Sequence, residues 1–219
     1  FRWHGHDERI GPTYIQECVA ILDREPDVTI AYPKSVIING EGEIIRAHDD
    51  KMDLRQDDAS ERIQGFLPGL CHPIFGLMRT DVLRQTDLIG NFVGSDEVLL
   101  WQLLLAGKFY EVSETLFYRR FHEKASVVAN PDFRSRAQWF DPNKKSGIYF
   151  KTWHHFFLKL QAIRNAPLSA AEKRRVYTEF GKIHAAHPGF MVQDFITMAQ
   201  IYSAQRKEQK PEFWVENAN

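Results

Sequence analysis

The 219-residue sequence predicts an α/β fold, a mixed sheet with flanking helices over residues 1–129 and a helical C-terminal region over 130–219. Two patterns carry the prediction. Short β-rich runs alternate with segments of helical period as far as about residue 128, and three helical-period segments follow one another after Asn130. The longest apolar stretch, Val98 to Ala106, is about half of what a membrane span needs, so no transmembrane segment is expected.

Phe1-Arg2-Trp3 reads as the end of a strand. Pro12 suits a first helical turn, and Tyr14, Ile15, Cys18, Val19, Ile21 and Leu22 recur at helical spacing, which predicts a helix ending near Arg24. "VTIAY" reads as a buried strand, and "SVIINGEGEIIRA" as a hairpin turning at Asn39-Gly40. The stretch from His48 to Ser60 is polar, carries five Asp, and is expected to be a mobile surface loop. "ASERIQGF" is a short helix. "HPIFGLMRTDVLRQT" is a strand feeding a helix capped by Thr80. Ser95 is the expected cap of the next helix and Gly107 its stop. "KFYEV" and "TLFYRRF" read as two strands. "WFDPNKKSG" is a linker, followed by helices over about 149–164, 169–186 (capped by Ser169) and 190–206.

A net charge of −1 and a pI near 6.8 argue against nucleic acid or an anionic membrane as a general partner. Aromatic residues at 13% favour a globular chain. Cys18 and Cys71 show no metal or disulfide spacing and suit a reducing cytosol. Phe1 stands where an initiator Met would, and no signal peptide is legible, so the sequence reads as an internal portion of a longer product.

Three constellations offer chemistry. Asp7 and Glu8 fall between a strand and a helix, where α/β sheets bind ligands. As hard oxygen donors they suit Mg²⁺ or Mn²⁺, and as turn acids they need no ligand at all. His4 and His6 beside Asp7 admit a zinc hydrolase, with further ligands sought from His72, His122, His154, His155, His184 and His187. Asp96 and Glu97 open an apolar helix, where the dipole favours acids and where Asp96 could also serve as a general base. Arg119, Arg120, His122 and Lys124 follow a strand, as an ordinary basic edge or as partners for a phosphate group. Strand alternation sends Arg120 and His122 to one face.

In this order the segments "WHGHDERIGPTYIQECVAILDREPDVTIAY", "GLMRTDVLRQT" and "GSDEVLLWQLLLAGKFYEVSETLFYRRFHEKAS" resemble the back half of a family 2 glycosyltransferase with the GT-A fold. The resemblance covers residues 1–128. It implies a metal-dependent, inverting transfer of a sugar from a nucleotide-diphosphate donor to a saccharide or other hydroxyl acceptor. It implies that Asp7 and Glu8 hold Mn²⁺ or Mg²⁺ with His122, that Arg120 and His122 meet the donor diphosphate, and that Asp96 is the base. Glu8 stands where the family has Asp, and Ser95 where it has an acid before the base. The implied location is cytoplasmic, with peripheral contact at the inner face of the membrane. In that fold the strand ending at Trp3 lies inside the sheet, and the N-terminal nucleotide-binding half is absent from these residues. An open sheet edge is therefore expected, covered by a partner or a second copy. These residues alone are expected to be an incomplete, inactive portion that binds nucleotide sugar weakly or not at all. The alternative is a non-catalytic interaction module whose tail, "KTWHHFFLKLQAI", docks a partner or lies on a membrane. Core packing is the simpler account of that tail.

Overall fold

The computed structural model describes residues 1–48, 52–66, 72–121, 129–130, 133–141 and 150–208. The elements in order are β1 (Arg9–Ile10), α1 (Tyr14–Arg24), β2 (Val28–Ile38), β3 (Ile44–His48), α2 (Ala59–Gly65), β4 (Leu77–Met78), α3 (Thr80–Leu83), α4 (Ser95–Ala106), β5 (Lys108–Arg120), α5 (Phe133–Phe140), α6 (Lys151–Asn165), α7 (Ala170–Ala186) and α8 (Pro188–Glu208). The protein is mixed α/β, with an open sheet of five strands and eight helices among the described residues. No helix among those residues is long and apolar enough to cross a membrane.

The sheet runs β1-β5-β2-β3, with β4 also paired to β2. Its centre is the parallel pair β2–β5, and the other pairings are antiparallel. Every residue of β2 except Lys34 is buried, as expected of a strand covered on both faces. On one face α1 sets Tyr14, Cys18, Ile21 and Leu22 against Val28, Ala31, Val112 and Phe117. On the other, α4 packs Leu99, Leu100, Leu103 and Leu104 over Ile30, Tyr32 and Phe109. Ile163 of α6 and Val176 and Phe180 of α7 join that second core. The helical region after residue 130 therefore shares apolar burial with the sheet's own helices.

Helix α1 and the β2–β3 hairpin fall where the periodicity and the Asn39 turn predict. Asn39 accepts the Glu43 N–H on Oδ1 at 2.8 Å, and Gly42 takes φ 92°, a turn conformation open to glycine. Ser169 caps α7 through a capping box with Glu172.

Several expectations are corrected. "KFYEV" and "TLFYRRF" form one strand, β5, because the polar Ser113-Glu114 step is absorbed as a bulge. Pro33 pairs with Val112 and Lys34 with Thr115, which leaves two residues over. The acidic stretch is no free loop over its described part. Met52 and Leu54 are buried, Leu54 O accepts the Phe109 N–H at 3.0 Å, and Asp53 Oδ1 accepts the Glu111 N–H at 3.1 Å. Thr80 is the first residue of α3, with Arg79 at the cap. Phe1-Arg2-Trp3 is not assigned as a strand, yet Phe1 exchanges two backbone hydrogen bonds with Met78, at 2.9 and 2.7 Å. One side of this segment is thus paired within the chain. Helix α5 reaches into the expected linker to include Trp139 and Phe140.

Ser95 is also not the cap of α4. Gly94, at φ 81°, holds that position, and Ser95 is the first helical residue, its Oγ buried without a hydrogen-bond partner. An unsatisfied buried hydroxyl opposes folding. Ser95→Ala should raise stability by about 1 kcal/mol in urea unfolding. A capping serine would give a loss of about the same size.

Candidate functional site

The opening residues close into a tight turn before β1. Glu8 N–H donates to Gly5 O at 3.4 Å, and Glu8 Oε2 accepts the Gly5 N–H at 3.2 Å. A Cβ at Gly5 would meet that carboxylate at 2.6 Å, so a larger residue there would displace the Glu8 side chain. β1 then lies antiparallel on β5, Arg9 opposite Tyr118 and Ile10 opposite Phe117. The turn is thereby carried to the carboxyl end of the parallel pair, beside Arg119 and Arg120.

These two arginines point to opposite faces, as strand alternation requires. Arg120 brackets loops: its Nε donates to Asp7 O at 2.9 Å and its Nη1 to Asn39 O at 2.8 Å and to Gly40 O. One guanidinium thus ties the Gly5–Glu8 turn to the hairpin turn. Arg119 lies on the α1 face, where its Nη1 donates to His72 Nε2. His72 Nε2 is then the acceptor of a neutral imidazole, and Nδ1–H donates to Ser35 Oγ at 3.1 Å. His48 stacks on His72, centroids 3.8 Å apart. Burial, then the positive charges of Arg119, His48 and Arg46, push His72 down to about 2.

The predicted residues fall as follows. Asp7 is partly exposed, 3.9 Å from the His6 imidazole, which stands in solvent. The Glu8 carboxyl is held above its ordinary range by burial, against the Gly5 N–H and the Arg119 charge. His4 meets Arg2 at 3.0 Å. Asp96 is half-buried, and its Oδ1 accepts the Glu97 N–H at 3.0 Å within the first turn of α4. No hydrogen bond or ion pair among the described residues joins Asp96 to the Gly5–Glu8 turn. His122 and Lys124 lie outside the described residues. Among the described residues no group of three His, Cys, Asp or Glu is placed to hold a metal ion. Asp7 and Glu8 remain two adjacent oxygen donors. That set suits Mg²⁺ or Mn²⁺, which take further ligands from water and substrate phosphate.

Sequence reasoning passed over two groups. The first is His72 with Ser35, His48, Arg46 and Arg119. Only the hairpin half of it, Ser35 opposite His48, is readable from the Asn39 turn. The second is Glu97, which is buried and accepts Lys159 Nζ at 2.5 Å, with His155 Nδ1 at 3.8 Å. Lys159 also lies over the Trp101 ring at 5.1 Å. Burial, opposed by Glu97, pushes His155 down to about 4.

No protein-family model matches the chain, and no curated protein matches it.

Among the described residues burial holds three histidines below their ordinary range, and the two more deeply buried, His72 and His155, set a pH dependence. An unfolded histidine titrates near about 6.5. In the folded protein both stay neutral below that pH, so the unfolded state binds more protons as pH falls. Their contribution is complete above about 6.5 and is lost on acidification, until about 4 for His155 and about 2 for His72. Urea unfolding should show about 2–3 kcal/mol less stability at about pH 5.5 than at pH 7, above the range in which most carboxylates titrate. A flat profile over that interval would contradict the burial of neutral His72 and His155.

Proposed function

We infer that the chain carries the diphosphate and acceptor side of a nucleotide-diphosphate sugar transferase, moving a sugar to a hydroxyl acceptor with inversion. The observation that supports this reading most is the seating of the Gly5–Glu8 turn at the carboxyl end of the parallel pair, held by Arg120 Nε on Asp7 O at 2.9 Å. Ligands of α/β sheets bind at that end of the strands.

In this reading Asp7 and Glu8 hold Mn²⁺ or Mg²⁺, with His122 as a third ligand. The ion supplies positive charge against a departing diphosphate. Arg120 fixes the turn that presents the two acids, and with His122 it belongs to the diphosphate side. Asp96 takes the proton of the acceptor hydroxyl as the new bond to the sugar forms on the face opposite the leaving group. A second reading, a non-catalytic interaction module, draws on the exposed Phe157, Val192, Phe195 and Ile196 of α6 and α8.

Saturation-transfer NMR on the whole chain, with a panel of nucleotide sugars and Mn²⁺, separates the two. Donor contact should require Mn²⁺ and vanish in Asp7→Asn, while the melting temperature stays nearly unchanged. Asp96→Asn should keep donor contact and lower transfer by about 10²–10⁴. An Asp7→Asn protein that still binds donor with metal would return Asp7 and Glu8 to turn acids, and the reading would fail.

A further inference from the structure

Arg46 of β3, Ile37 of β2 and Arg119 of β5 stand in one row across three strands. Residues in such a row project to the same face of the sheet. Neighbouring strands lie about 4.8 Å apart, so the two arginine Cα atoms are about 10 Å apart, with Ile37 between them. The next row on this face is His48, Ser35 and Phe117. His72 lies over it, close enough to feel the charge of both arginines.

Among the described residues no ion pair cancels the charge on this face: neither Arg46 nor Arg119 forms one, and Arg119 is half-buried. The hydrogen-bond partner of Arg119 is a neutral imidazole, which orients the guanidinium without cancelling its charge. A half-buried cation without a counterion is costly, and an arriving anion relieves that cost. Glu8 feels the charge of Arg119, but its Oε2 is turned to the Gly5 N–H.

We propose that Arg46 and Arg119, with His72 as the orienting acceptor, form a binding site for a phosphate group, free or carried as a monoester. Two guanidinium forks across an apolar residue match the oxygens of a tetrahedral anion, which each can engage bidentately. His72 is a positioning residue here, since it acts through Arg119. The site is on the α1 face, opposite the side to which Arg120 points. It needs no metal and does not rest on the transferase reading.

The test follows the arginine Nε–Hε resonances of the whole chain by NMR, at low ionic strength with EDTA, during titration with inorganic phosphate and separately with phenyl phosphate. The Arg46 and Arg119 signals should move saturably, and added salt should weaken the effect. Arg46→Gln, an exposed change on an edge strand, should weaken binding at least about tenfold, as should Arg119→Gln. Arg84→Gln, at an exposed arginine that ends α3 and shares no row with Arg46 or Arg119, should leave it unchanged. Binding of both ligands indicates that the phosphate alone is recognised. Binding of phenyl phosphate alone assigns the site to monoesters. The proposal is overturned if neither ligand shifts these signals at about 10 mM, if either variant binds like the parent, or if Arg84→Gln weakens binding equally.

Discussion

The parallel pairing of β2 with β5 is the constraint from which the rest of the structure follows. It joins residues 28–38 to residues 108–120, segments that local contacts alone would never bring together. A parallel pair requires a crossover, and the chain between the two strands supplies it with α4 and its apolar face. β2 is buried on both sides, so its register is enforced by burial. A slip by one residue would exchange Ile30 and Tyr32 with Ala31 and Pro33 between the two cores. The two bulges after Pro33 then decide which residues meet at the carboxyl end. Without them Arg119 would not stand beside Ile37, and the chemistry gathered around His72 would be dispersed.

A second, electrostatic tie holds the helical region to this sheet. Glu97 and Lys159 are both buried, and removing either would leave the other as an uncompensated charge, a loss of about 3–5 kcal/mol in comparable buried pairs. The pair fixes α6 against α4 one residue from Asp96. Asp194 of α8 in turn accepts the Thr152 and Trp153 N–H groups at 2.7 and 3.1 Å, and so caps α6. The sheet, the Asp96 turn and the C-terminal helices are therefore one connected body of contacts. Any function assigned to the carboxyl end of the strands has this scaffold behind it.

What could be read in advance was local. The helix from Tyr14, the Asn39 hairpin and the Ser169 capping box each follow from a spacing or a turn residue close in sequence. The failures share one cause, which is a tertiary partner that local pattern does not reveal. Ser113-Glu114 reads as a turn until β2 is placed beside it. Met52 and Leu54 lie within an acidic stretch whose burial depends on β5 and the packing beneath it. Glu97 looks like a first-turn acid because Lys159 is 62 residues away. At the site, the approach of Asp7 to Arg120 follows the order of motifs in the sequence. The row of Arg46, Ile37 and Arg119 needed the parallel register and could not be foreseen.

That register is the claim on which the account stands, and interstrand nuclear Overhauser contacts measure it directly. Ile37 should show backbone contacts to Arg119 on one side and Arg46 on the other, with Ser35 facing Phe117 and His48. An α-proton contact of Ile37 to Tyr118 or Arg120 in place of Arg119 would put the strands one residue out of step. The basic face around His72 would then not exist as described.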